Sequence, residues 1–198
     1  MRVLRPRGPY LVGQRSRHLR NLCSIVLCAS AAAVAVGSLL DPVLGFVPLL
    51  ASAPSARRQY MKATRYRKGA FGEELISALL GGLPDEFCLF NDVTLPGYRG
   101  NIDHVVVGPC GVIVIETKHY RGVIRCDRDR WFVDGRPLEK NISKQVTGAA
   151  IAARKLLLSR FEAWQDSGPG WVDGVVVFTN PLCRLELNRP GPTVVRYS

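Results

Sequence analysis

Residues 101–120, NIDHVVVGPCGVIVIETKHY, form an apolar run suited to buried strands, yet they carry Asp103, Glu116 and Lys118. A turn over residues 108–111 pairs Val107 with Val112, and counting back along both strands sets Asp103 opposite Glu116. Side chains on a strand alternate between faces, so these two acids and Lys118 share one face and converge at one end of it. Two carboxylates about 5 Å apart across a ladder repel each other, and burial makes this worse. Something positive must lie between them. Lys118 could be that charge, which would make the trio a structural ion cluster. A divalent cation could also serve, leaving Lys118 free to act on water. One or two carboxylates completed by water suit Mg²⁺, with Mn²⁺ as an alternative. A cation held this way stabilises charge developing on a phosphodiester and lowers the pKa of an attacking water. A lysine beside it would orient or deprotonate that water, or neutralise the pentavalent phosphorane, its own pKa falling on desolvation near cations.

Several elements must position these residues. GAFGEELISALL (69–80) places Phe71, Leu75, Ile76, Leu79 and Leu80 on one helical face, and Gly81-Gly82 ends the helix. CLFNDVTL (88–95) reads as a strand stopped by Pro96-Gly97. Two strands follow around GPCG, and VIRC with RWFV forms a smaller hairpin turned at residues 127–129. Apolar or small residues recur at helical spacing from Ile142 to Phe161, and GVVVFTN (174–180) is a last buried strand. This α-β-β-β-α-β order predicts an α/β domain with one mixed central β-sheet flanked by helices. No His/Cys group has zinc spacing, and no glycine-rich loop has the form of a nucleotide cradle.

The stretch IDHVVVGPCGVIVIETKHYRG, with GAFGEE upstream and NISKQ downstream, resembles the nuclease-related (NERD) domain, a branch of the PD-(D/E)xK nuclease superfamily. The resemblance covers about residues 66–180. It implies a restriction-endonuclease-like core and a Mg²⁺-dependent nuclease in which Asp103 and Glu116 bind metal and Lys118 assists catalysis. It also implies that the glutamate of the GxxGE stretch, Glu73, and the glutamine of the downstream motif, Gln145, reach the site. Helical phase agrees for the first of these: Glu73 lies about 110° from the centre of the apolar face and Glu74 about 150°, in solvent. Ile142 stands where the family usually has proline, which questions the start of that helix, and the family usually continues beyond position 198. His104 falls on the opposite strand face and His119 points away from Lys118, so both are expected to be structural. Trp131 is expected to pack within its hairpin.

The chain of 198 residues carries a formal charge of +11, but the charge is unevenly placed. Six arginines lie within residues 1–21 and six further cations within residues 57–68, whereas residues 69–198 hold 15 basic and 15 acidic side chains. Between the basic clusters, Leu22 to Leu40 is a run of 19 uncharged residues, enough to cross a hydrocarbon layer of roughly 30 Å. The expected organisation is a basic segment (1–21), a transmembrane helix (22–40), a basic juxtamembrane linker (57–68), the nuclease-related domain (69–180) and a tail (181–198). A single crossing is the preferred reading. The alternative extends the apolar stretch to residue 56 as a hairpin broken at Asp41-Pro42, and equal basic flanks leave the orientation of one span open. Pro54 directly after ASA (51–53) argues against a cleaved signal peptide. Six cysteines without CxxC pairing or framework spacing fit a reduced compartment, so the domain is placed on the cytoplasmic side. The expected partners are nucleic acid, with DNA preferred, and the membrane. A neutral domain is awkward for tight non-specific DNA binding, which keeps a catalytically inactive binding module as the competing class. Arg121, Arg125, Arg128 and Arg130 could supply phosphate contacts or form an ordinary solvated edge.

Overall fold

The computed structural model describes residues 2–5, 10–161 and 171–197, and among these the chain divides into two compact units. The first comprises residues 1–8 with 71–198, and the second residues 9–70.

In the first unit a six-stranded mixed sheet runs in the order β1-β2-β3-β4-β8-β10. Its strands are β1 (Arg2–Arg5), β2 (Cys88–Thr94), β3 (Asn101–Gly108), β4 (Gly111–Lys118), β8 (Val172–Phe178) and β10 (Thr193–Arg196). The expected hairpin forms in the expected register, with Val107 against Val112 and Gly108 against Gly111, so that Pro109 and Cys110 make the turn. β4 then pairs in parallel with β8, which pairs in parallel with β10. Alternation sends successive residues to opposite cores. Val105 packs with Val146 and Val176 beneath α3 (Ile142–Arg160), while Val106 packs with Ile76 and Val177 beneath the end of α2 (Phe46–Leu80). Each such side chain contributes about 1.5–3 kcal/mol on burial, which locks the register because a one-residue slip would exchange the two faces.

The smaller hairpin does not join this sheet, as a single-sheet reading required. β5 (Gly122–Asp127) and β6 (Arg130–Val133) build a separate four-stranded sheet, ordered β7-β6-β5-β9, with β7 (Arg136–Pro137) and β9 (Cys183–Asn188). Arg128 and Asp129, with φ of 47° and 64°, form the two-residue turn that suits a tight hairpin. Residues 181–198, expected as a tail, instead supply β9 beside β5 and β10 beside β8. Parallel pairing with distant strands leaves no local turn signal, so the proline and glycine content dominated the sequence pattern.

The second unit is a pair of helices. α1 (Tyr10–Leu39) contains the apolar run, and its segment Gly13–Leu39 is long and apolar enough to cross a membrane. The 57–68 linker is a correction: those residues lie inside α2, which begins at Phe46 and continues unbroken through Pro54 to Leu80. The helix carrying Glu73 therefore starts well before Gly69. The N-terminal basic segment is corrected too. Arg2–Arg5 is a strand, residues 10–21 open α1, and Met1 and residues 6–9 lie outside the described residues.

Candidate active site

β3 and β4 pair from the turn only as far as His104 and Ile115. Beyond that point β3 stays with β2 through Ile102 and Asn101, while β4 stays with β8 through Lys118. The two strands fork. Asp103 sits in the fork, where its Oδ2 accepts the Thr117 N–H at 2.7 Å in place of a backbone carbonyl. This bond fixes the carboxylate at the mouth of the site.

On the next strand Glu116 is 3% exposed, and Lys118 Nζ donates directly to its Oε1. Lys118 Nζ also donates to Gln145 Oε1 at 3.2 Å, so the glutamine reaches the site from α3. That helix starts at Ile142, with Asn141 as its cap: the Asn141 side chain accepts the Lys144 N–H at 2.9 Å. Isoleucine takes the first helical position where proline would also fit, and Gln145 keeps its place one turn on. Asp129 anchors this cap from the second sheet. Its backbone carbonyl accepts from Asn141 Nδ2 at 2.6 Å, and its Oδ1 accepts from Ser143 Oγ at 2.5 Å and from Gly191 N–H at 2.8 Å.

Glu73 approaches from α2. It is half-buried while Glu74 is exposed, and its charge is felt at Asp103. Gly72 explains how the helix comes so near. A Cβ there would lie 2.7 Å from Thr179 Oγ1 and 3.1 Å from His119 Cβ, whereas one on Gly69 would meet nothing within 4 Å. The second glycine of the motif is thus a packing requirement, and it sets the residue after it against the ends of β4 and β8.

Burial pushes the Asp103 carboxyl well above the usual range, with repulsion from Glu116 and Glu73 adding to it; Lys118 and the Thr117 hydrogen bond oppose. Burial likewise raises Glu116, against the pull of Lys118 and Lys140. Lys118 runs contrary to the expected fall. Burial does lower it, but Glu116 and Asp103 outweigh burial and hold the ammonium protonated above its ordinary range. One lysine faces a buried and a half-buried acid. The fit to a divalent cation follows from this deficit of positive charge. Among the described residues no three His, Cys, Asp or Glu side chains gather as a ligand set, so the protein would offer Asp103 and Glu116 and leave the other positions to water and substrate oxygens, the pattern of Mg²⁺ sites.

The other residues singled out in the sequence have structural partners. His104 is buried on the opposite face, its Nδ1 2.7 Å from Asn91 Oδ1, and His119 Nδ1 lies 2.9 Å from Thr179 Oγ1. Trp131 is buried, donates from Nε1 to Ser143 Oγ at 2.8 Å and packs on Phe178 with ring centroids 5.8 Å apart. Arg130 pairs with Asp127 at 3.1 Å and Arg125 lies 5.0 Å over the Phe132 ring, as on a solvated edge. One site neighbour escaped sequence reasoning. Tyr98, in the loop after β2, donates its hydroxyl to the Gln145 carbonyl at 3.2 Å, and burial together with the charges of Glu116 and Asp103 raises its phenol pKa. Nothing in LPGYRG distinguishes this tyrosine from an ordinary loop aromatic.

A family model described as the nuclease-related domain, NERD, matches residues 68–179. An uncharacterised protein of Bacillus anthracis is 39% identical over 61 residues, covering 29% of this chain and 29% of that protein, so the chain spans less than a third of that relative. No solved structure matches.

Proposed function

Because the chain belongs to the nuclease-related domain family, we propose that it is a membrane-attached, Mg²⁺-dependent nuclease that hydrolyses phosphodiester bonds in DNA, its catalytic domain on the cytoplasmic side. The observation that carries this reading is the fork between β3 and β4, which gathers one buried and one half-buried carboxylate, one ammonium and one amide. Asp103 and Glu116 would hold the cation, which when bound supplies Lewis-acid stabilisation of charge on the phosphate and a more acidic water. In hydrolysis a water oxygen adds to phosphorus, one P–O ester bond breaks, and the water's proton passes to the departing alkoxide or to solvent. Lys118, held protonated by its acidic neighbours, donates to a phosphate oxygen and offsets charge on the phosphorane. Gln145 keeps the ammonium aimed. Glu73, half-buried beside Asp103, is suited to orient water at the rim. Lys140, whose charge reaches Glu116, and the exposed Lys144 provide cations beside the site for the flanking phosphates.

One observation favours the inactive module: the Lys118–Glu116 contact is already a satisfied ion pair. The two readings part in one assay. Full-length protein purified in detergent is incubated with plasmid DNA in Mg²⁺ or Mn²⁺, with chelator, Asp103→Asn and Lys118→Ala as controls. Metal-dependent nicking, abolished by Asp103→Asn and reduced by on the order of a hundredfold or more in Lys118→Ala, is the expected result. Cleavage retained in both variants would remove the site assignment. Inactivity of the unmodified protein with metal-independent DNA binding would establish the module.

A further inference from the structure

We infer that α1 and α2 insert into the membrane as a helical hairpin which enters and leaves through the same leaflet, so that the chain does not end on the far side. This rests on the membrane reading above and sets its topology.

Connectivity carries the argument. Arg2–Arg5 pairs in parallel with Cys88–Phe90 at the edge of the large sheet, so the chain is already part of the domain before α1 begins. It returns to that domain at Phe71. A segment that leaves one folded body and rejoins it crosses a bilayer an even number of times or not at all. One crossing would require β1 to be torn from β2.

The helix pair is built for this. Its members touch at both ends: His18 Nδ1 lies 2.7 Å from Gln59 Oε1, with the His18 ring stacked 5.4 Å from Tyr66, and near the apex a Cβ on Gly45 would fall 2.9 Å from the Ala33 carbonyl. The helices are therefore antiparallel, and the two basic clusters share one end. Arg15, Arg17 and Arg20 on α1 stand at the level of Arg57, Arg58 and Lys62 on α2, a single belt for the anionic headgroups of one leaflet. The other end has Asp41 as its one charge, its Oδ1 accepting the Val43 N–H at 2.7 Å. From Arg20 to Leu40 is about 30 Å of helix, and from Asp41 to Arg57 about 24 Å if the turn is counted at helical rise. Both legs thus leave the charged belt together and reach most of the way through a hydrocarbon core.

Exposure supplies the second argument. Leu40, Val43, Phe46, Val47 and Leu50 are each more than half exposed. With α1 as the lone span these side chains would stand in water beyond the far leaflet, and the cations of α2 would be translocated against the positive-inside tendency. Within a hairpin they meet lipid.

The test uses the full chain with a tag at each terminus, expressed in bacteria and recovered in sealed vesicles of both orientations. The expected result is a carbonate-resistant membrane fraction in which both tags are cut by protease in inside-out vesicles and both are protected in right-side-out ones. One tag cut in each orientation means a single crossing, which overturns the hairpin and leaves membrane attachment standing. Loss of the whole protein to the carbonate wash overturns the membrane reading itself, and the hairpin with it. Leu50→Lys gives a separate check. It should deplete the carbonate-resistant fraction severalfold if α2 is inserted, and no depletion would mean that only α1 is.

Discussion

At the scale of single residues the site is a balance of burial against charge. Asp103 and Glu116 are raised by burial, so between the ordinary carboxylate range near pH 4 and their raised values the native state holds protons that the unfolded chain releases. Their contribution to stability therefore falls as pH rises through that window. Lys118 has the same direction of shift but the opposite charge, so its contribution is intact at neutral pH and is lost as pH rises from the ordinary lysine range through its raised pKa. The metal-free protein should lose thermal stability from mild acid to neutrality, Mg²⁺ should restore it most at neutrality, and Asp103→Asn should flatten the trend. Melting curves in chelator and in Mg²⁺ at several pH values check this, and parallel curves for protein and variant would contradict it. Gln145 acts through Lys118, so Gln145→Leu should cut kcat about 10-fold to 100-fold, as loss of a supporting hydrogen bond commonly does. DNA affinity should hardly change, and a full-strength single-turnover rate would show that the amide does not position the lysine.

At the scale of elements, the site depends on how closely two helices approach the ends of β4 and β8. Gly72→Ala forces a methyl group against Thr179 and His119 and should cost about 1–3 kcal/mol. Gly69→Ala, three residues earlier in the same helix and clear of contacts, should be neutral or stabilise by up to about 1 kcal/mol. Denaturant titration of both variants reads this difference directly, and equal effects would mean that Gly72 is chosen for flexibility. The helix opposite is held by its cap. Asn141→Ala should cost about 1 kcal/mol and also lower cleavage, because the cap sets the turn from which Gln145 projects.

For the molecule as a whole, the last 18 residues complete both sheets. Truncation after Asn180 removes β9 from β5 and β10 from β8, uncovering Val176 and Phe178 at a new edge. Such a protein should be rapidly degraded by a dilute protease that spares the full chain. Survival comparable to the full chain would show that the six-stranded sheet is stable without its last strand. The two units also differ in charge and surface: among the described residues the helical unit carries most of the exposed large apolar side chains and most of the cationic excess, and the sheet domain carries nearly all the carboxylates.

What the sequence alone determined is local. Period-two alternation and a four-residue turn were enough to pair Val107 with Val112, since a hairpin's register follows from its turn, but the ladder ends at His104 and Ile115, so Asp103 meets the Thr117 N–H in the fork and is not paired across from Glu116. Helical phase was enough to choose Glu73 over Glu74, and the apolar run was visible as composition. The tertiary structure decided whatever depends on distant partners. The fork that opens beyond His104 exists because β3 and β4 each follow a different neighbour. Tyr98 and Asp129 matter through contacts 47 and 14 residues away. The strands in the proline-rich tail, and the N-terminal strand beside β2, are stabilised by parallel pairing across the fold, for which no short-range pattern in the chain is required.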